Sequence, residues 1–103
     1  MTDKNISLAE YQVLIKQLVK ERGFDKETVP EVFTLFVEEV GELAKAIRKS
    51  NGQKVDKTRR QHDVEEEAAD VFWLLIDLCN RLDIDLENAF LQKEKKNQSR
   101  TWS

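Results

Sequence analysis

Two pairs of acidic residues lie in the two most apolar helical stretches of the chain. Glu39 and Glu42 form one pair, and Glu67 and Asp70 form the other. Because residues three apart lie on one side of a helix, each pair brings two like charges within about one turn. That spacing destabilises a helix by about 0.2–0.5 kcal/mol, and placement beside a core adds to the cost. A cation between two facing pairs would remove this cost, so the sequence predicts a metal site.

The composition predicts a single all-α domain over residues 1–103. The chain is 40% hydrophobic and 36% charged, and it contains one Pro and three Gly. Glu, Lys, Leu and Ala favour helices, and the residues that interrupt helices are scarce. A chain of this length is near the lower end of what buries a self-sufficient core, which favours association with another surface.

Four helices are predicted from capping residues and apolar periodicity. Ser7 and Glu10 form a capping box at the start of the first helix, which ends near Gly23. Asp85 is the predicted N-cap of the fourth helix. The remaining predicted bounds are Glu31 to Lys49 for the second helix, His62 to Leu82 for the third and Leu86 to about Gln98 for the fourth. Residues 53–61 are basic and lack apolar periodicity, which predicts a loop that could lie over a phosphate site.

The same periodicity predicts which faces of the second and third helices are buried. The predicted faces comprise Val32, Phe33, Phe36, Val40, Leu43 and Ile47 on the second helix, and Val64, Ala68, Val71, Leu75, Leu78 and Leu82 on the third. The acid pairs border these faces, and a short connection would make the two helices antiparallel neighbours. Lys45, Lys49 and Asp77 are predicted to point away from them, and Cys79 to fill the core.

The predicted ligands are all carboxylates, which favours Mg²⁺ or Mn²⁺ over zinc or copper. A helical di-iron site normally includes a Glu-x-x-His motif. His62 is the one histidine and has no acid three residues before it, so di-iron is disfavoured. Magnesium held by carboxylates usually binds substrate phosphates as well. The site therefore points to phosphoanhydride chemistry.

Several other classes of protein are disfavoured. The chain has no Walker loop, no glycine-rich nucleotide motif and no nucleophile elbow. Its formal net charge of −3 does not suggest binding to nucleic acid. The chain has one cysteine, no visible signal peptide and no apolar run of the roughly 20 residues that span a bilayer. These features predict a cytoplasmic protein without a membrane partner.

The order of the motifs resembles a known family. Glu38-Glu39-Val40-Gly41-Glu42, followed after residues 43–66 by Glu67-Ala68-Ala69-Asp70, resembles the EExxE…ExxD signature of the MazG-like all-α nucleoside triphosphate pyrophosphohydrolases. Residues 70–75 resemble the hydrophobic run after the family's aspartate. Residues 82–87 and the spacing of Lys93, Asn97 and Arg100 resemble its fourth-helix segment. The resemblance covers roughly Arg22 to Trp102.

This resemblance implies a four-helix bundle of antiparallel helices that cleaves nucleoside triphosphates between the α and β phosphates. It implies Mg²⁺ as the cofactor, with Mn²⁺ as an alternative, and housekeeping of the nucleotide pool as the role. It also implies a homodimer or homotetramer formed by helix packing. The implied metal ligands are Glu39, Glu42, Glu67 and Asp70, and Glu38 would bind a further metal or orient the attacking water. Lys93, Asn97 and Arg100 would hold phosphate or sugar.

Some assignments stay open at this point. Trp73, Trp102 and Phe24 are candidates for stacking on the base, but a core or subunit-contact role is an equal alternative for each. The basic end of the fourth helix could equally be a solvated helix terminus. Two rival functions are a phosphoribosyl-ATP pyrophosphohydrolase and a non-catalytic helical interaction module. The C-terminal Arg-Thr-Trp-Ser departs from the aromatic-Pro pair that relatives often carry there.

Overall fold

Four helices form the described part of the chain, which covers residues 5–52 and 57–100 of a computed structural model, with the side chains of residues 52 and 57–62 excepted. The helices are α1 (Leu8–Glu21), α2 (Val29–Gly52), α3 (Lys57–Arg81) and α4 (Leu86–Gln98). No strand occurs in these ranges. The predicted all-α class and the number of helices are therefore confirmed.

The predicted caps of α1 and α4 are present. The Ser7 hydroxyl accepts a hydrogen bond from the amide of Glu10 at 3.1 Å, and the Glu10 carboxylate accepts one from the amide of Ser7 at 2.9 Å. The Asp85 carboxylate accepts a hydrogen bond from the amide of Asn88 at 3.0 Å. Each bond satisfies an amide that a helix N-terminus otherwise leaves without a partner.

Three predicted boundaries differ from the structure by two residues or more. Helix α2 ends at Gly52 rather than Lys49. Helix α2 begins at Val29 rather than Glu31, because Thr28 caps it and exchanges hydrogen bonds with Glu31. Helix α3 begins at Lys57 rather than His62, so residues 57–61 are helical and not loop. Missing apolar periodicity indicates exposure, whereas Lys, Arg and Gln are good helix formers. Residues 53–56 of the predicted loop lie outside the described residues.

Helix α3 is the central element. It packs along α2 on one side and against α1 on another, and α4 contacts α1. The core cluster comprises Ile15 and Val19 of α1 and Ile76 of α3, with Leu8, Trp73 and Leu86 packed around it. Along α2 and α3, early residues of one helix share cavities with late residues of the other, as in Leu35 with Leu74.

Part of the predicted core is exposed instead. Exposed fractions are 54% for Phe33, 41% for Val40, 44% for Ile47, 38% for Leu75 and 53% for Leu82. Conversely, Asp77 was predicted to point outward and is 3% exposed, beside Cys79, which is buried as predicted. Burial raises the pKa of the Cys79 thiol. The apolar residues recur at helical spacing as predicted. They are partly exposed because only one arc of each helix faces another helix of the same chain.

The Gln12 side chain joins three helices. Its amide donates to Asn80 Oδ1 at 2.8 Å and to the Ile84 carbonyl at 2.9 Å, and its oxygen accepts from the Leu86 amide at 3.0 Å. Asn80 in turn donates to the Gln12 carbonyl at 2.9 Å. These bonds fix the start of α4 against α1 and α3.

We expect Gln12→Ala to lower the free energy of unfolding by about 2 kcal/mol, because it leaves partly buried polar groups without partners. Chemical denaturation followed by circular dichroism measures this. Gln17→Ala is the matched control, since Gln17 lies on the same helix and contacts only exposed Glu21 among the bonds of the described chain. Its effect should stay within about 0.5 kcal/mol. Equal losses in the two variants would contradict the role assigned to Gln12.

Candidate metal centre

Three acidic side chains meet between α2 and α3. Glu39 of α2 and Glu67 and Asp70 of α3 each offer a carboxylate oxygen, and these oxygens all lie within 4.8 Å of one another. Glu39 and Glu67 are half-buried, and Asp70 is exposed. The structure thus brings together three of the four residues that were predicted as metal ligands.

The electrostatics of the cluster are unfavourable when all three acids are ionised. The pKa of Glu39 is raised above its ordinary value, first by desolvation and then by a hydrogen bond with the Glu67 carboxyl. The charges of Asp70, Glu67 and Glu42 raise this pKa further. Each cause favours the neutral form of Glu39 over the ionised form.

The donor atoms fit a hard divalent cation. Glu67 Oε2 is buried and has no hydrogen-bond partner within the described chain. A buried carboxylate oxygen without a donor costs free energy, and a cation would supply the missing interaction. Oxygen ligands from carboxylates, with no histidine or cysteine in the cluster, suit Mg²⁺ or Mn²⁺.

The other two acids of the motif lie at the margin of the cluster. Glu42 is exposed and outside the group of three, but it lines a cavity of about 170 Å³ together with Glu67. Glu38 is exposed on α2 next to Glu39 and is likewise not one of the three. Lys45 and Lys49, predicted to point away from the site, line the same cavity as Glu42 and Glu67.

A cavity of about 290 Å³ adjoins the cluster on its other side. Glu39 and Asp70 line it, together with Arg22, Phe24, Trp73 and Leu74. A smaller, mainly apolar cavity of about 110 Å³ shares Phe24, Trp73 and Leu74 with it. The structure therefore places Trp73 beside the acids. It also adds Arg22, whose only sequence signal was its place at the end of the first helix.

A partly buried ion pair on α3 fastens the connection in which Arg22 and Phe24 lie. Arg81 donates from Nε to Asp77 Oδ1 at 2.9 Å, and its other nitrogens donate to the carbonyls of Phe24 and Glu27. Gly23 has φ of 77°, a backbone conformation that glycine adopts without strain. The connection between α1 and α2 is thereby fastened to α3.

The predicted phosphate-binding residues of α4 lie apart from this cavity. Lys93 and Arg100 are exposed, and Asn97 donates to Glu94 Oε1 at 3.0 Å. None of the three lines the cavity that carries Glu39 and Asp70. Helix α4 contacts α1, on a different part of the molecule from the α2–α3 seam.

Comparison with known proteins identifies the family. The sequence model of the MazG nucleotide pyrophosphohydrolase domain matches residues 27–102, and the chain belongs to this family. The chain is also similar to the uncharacterized protein YpjD of Bacillus subtilis (strain 168), with 45% identity over 53 residues. That match covers 50% of the chain and 48% of the relative, so the chain spans about half the length of that protein. In the described residues, none of the helices has the length and apolarity needed to cross a membrane.

The raised pKa of Glu39 predicts how the stability of the metal-free protein depends on pH. Its contribution is fully present below the ordinary pKa of glutamate and is lost as the pH rises through the raised value. We therefore expect the thermal midpoint of the metal-free wild type to fall, relative to Glu39→Gln, as the pH rises above the ordinary pKa of glutamate. Differential scanning fluorimetry of both proteins measures this, and Mg²⁺ should restore the wild type. Parallel pH profiles would contradict the assigned environment of Glu39.

Proposed function

We propose that the protein is a Mg²⁺-dependent pyrophosphohydrolase that cleaves the α–β phosphoanhydride of nucleoside or deoxynucleoside triphosphates. The observation that carries the proposal is the cluster of Glu39, Glu67 and Asp70, which adjoins a cavity lined by one arginine and two aromatic side chains. Membership of the MazG family supports the same reaction class. Housekeeping of the nucleotide pool in the cytoplasm is the proposed role.

The proposed reaction is hydrolysis to a monophosphate and pyrophosphate. A water oxygen bonds to the α phosphorus, and the bond from that phosphorus to the bridging oxygen breaks. The bonding electron pair leaves with pyrophosphate, and a carboxylate accepts the proton of the water. Glu38, exposed beside Glu39, is the proposed acceptor. A bound Mg²⁺ would neutralise phosphate oxygens and lower the pKa of water.

Each side of the cluster has a proposed task. Glu39, Glu67 and Asp70, with Glu42 one turn further along α2, would hold the metal. Phe24 and Trp73 offer flat apolar surfaces on which a base can stack. Arg22 offers a planar, permanently charged group that suits phosphate. The substrate would thus contact the arginine, the aromatic side chains and the metal-binding acids within one groove.

A second copy of the chain is part of the proposal. Val40 and Ile47 of α2 and Leu75 and Leu82 of α3 are exposed, and this apolar area is available for helix packing. We infer an antiparallel bundle that associates as a homodimer or homotetramer. In such an assembly Lys93, Asn97 and Arg100 would reach the site of a partner copy, although they lie away from the site of their own.

The first test is product analysis. Purified protein with Mg²⁺ should release pyrophosphate, not phosphate, from one or more members of a panel of nucleoside triphosphates. Phosphoribosyl-ATP is included in the panel, so preferential turnover of that compound would overturn the proposed substrate class. If wild type neither binds Mg²⁺ by isothermal titration nor turns over any substrate, the enzymatic proposal is wrong.

We expect Asp70→Asn to lower turnover by at least about a hundredfold. Even the loss of a residue that only hydrogen-bonds to a metal ligand lowers activity or metal affinity by about 10–100-fold. Mg²⁺ binding by isothermal titration should weaken in parallel, while helicity by circular dichroism stays unchanged. Glu65→Gln is the matched control, because Glu65 is an exposed acid of α3 outside the cluster. Retained metal binding and turnover in Asp70→Asn would refute the ligand assignment.

We expect Arg22→Gln to raise KM about tenfold or more, because a hydrogen-bonded charge pair with phosphate is lost. Steady-state pyrophosphate release measures this change. Mg²⁺ affinity without nucleotide should not weaken, since Arg22 donates nothing to the metal. Lys26→Gln removes an exposed cation from the same connection and is the control. A KM equal to that of wild type in Arg22→Gln would remove Arg22 from the substrate site.

A further inference from the structure

The acid cluster separates two cavities of different chemistry. On one side lies the cavity with Arg22, Phe24 and Trp73. On the other side, further along α2 and earlier along α3, lies the cavity of about 170 Å³ lined by Glu42, Lys45, Ala46, Lys49, Asp63 and Glu67. Glu67 belongs both to the cluster and to this second cavity. The groove therefore has an aromatic end and a lysine end, with the acids between them.

We propose that the lysine end is the subsite for the departing pyrophosphate and so fixes the direction in which the substrate lies. The nucleoside would rest at Phe24 and Trp73, the α phosphate over the acids, and the β and γ phosphates between Lys45 and Lys49. This inference rests on the proposed function and adds an orientation and two residues to it. Helical periodicity alone predicts that both lysines point away from the buried face.

The spacing of the lysines suits a ligand with more than one phosphate. Lys45 and Lys49 are four residues apart on α2, so their Cβ atoms lie roughly 5–6 Å from each other on one face. Neither ammonium group forms a salt bridge with an acid among the residues that the structure describes. Ala46, between them in the sequence, contributes only a methyl group to the cavity wall. Two free cations can therefore approach the same ligand.

The charge of the cavity makes the subsite conditional on the metal. Glu42, Asp63 and Glu67 outnumber the two lysines, so the cavity without a cation repels a polyanion. A divalent ion at the cluster would offset part of this negative charge and would itself attract the phosphate groups. Binding of pyrophosphate should consequently require Mg²⁺.

The lysines would act where charge develops in the reaction. When the bond between the α phosphorus and the bridging oxygen breaks, the electron pair stays on the oxygen that becomes part of pyrophosphate. Positive groups that face this oxygen or its neighbours stabilise the developing charge. Lysine is a compact, mobile point charge, which suits a product that must leave.

The experiment measures the affinities of the two products separately. Isothermal titration with inorganic pyrophosphate, and with the monophosphate of the preferred substrate, is performed with and without Mg²⁺ on wild type and Lys45→Gln/Lys49→Gln. We expect the double variant to bind pyrophosphate at least about tenfold more weakly and the monophosphate equally well. Lys45→Arg/Lys49→Arg, which keeps both charges, should retain most of the affinity for pyrophosphate.

The control carries the same change on another helix, in two lysines that line neither the cavity with Arg22 nor the cavity with Lys45. Lys16 and Lys20 are exposed and four residues apart on α1, so Lys16→Gln/Lys20→Gln removes an equal charge with the same spacing. This variant should bind both products like wild type. Mg²⁺ affinity without a second ligand should not weaken in either glutamine variant.

Three outcomes would overturn the orientation. These are unchanged pyrophosphate affinity in the Lys45 and Lys49 variant, an equal loss for the monophosphate, or an equal loss in the control. If wild type still releases pyrophosphate from triphosphates, any of these outcomes overturns the proposed orientation and leaves the proposed function intact. Wild type that turns over no triphosphate overturns the proposed function as well.

Discussion

Repulsion among carboxylates at the seam of α2 and α3 is the constraint on which the site depends. Glu39, Glu67 and Asp70 could have been scattered over the surface, but the packing of the two helices brings their oxygens within 4.8 Å. The packing of α2 along α3 holds this arrangement together. The protein therefore keeps an electrostatically costly feature, which is typical of residues retained for function.

The sequence was sufficient to predict features that depend on local spacing. The capping residues Ser7 and Asp85 and the acids of the cluster were found because each depends on neighbours three residues away. Asp77 could not be placed in the same way, because periodicity gives the arcs of a helix but not which arc meets another helix. Residues 57–61 were misjudged for a related reason, since their polarity reports exposure and not the absence of a helix.

Arg22 shows why the whole site could not be predicted from the sequence. Its contact with the cavity of Glu39 and Asp70 depends on the turn at Gly23 and on the bonds of Arg81 to that connection, which are contacts between distant parts of the chain. The helical wheel likewise predicts that Lys45 and Lys49 point away from the buried face. They line a cavity only because Asp63 and Glu67 of α3 form its opposite wall.

The bonds of Arg81 also bear on how the groove responds to a ligand. Asp77 and Arg81 fasten the connection carrying Arg22 to α3, the helix that also carries Glu67 and Asp70. The connection that carries the aromatic wall is therefore anchored on the same helix as most of the acid cluster. Anchoring of this kind favours preorganisation, in which charges and dipoles are aimed before a ligand arrives and little reorganisation is needed.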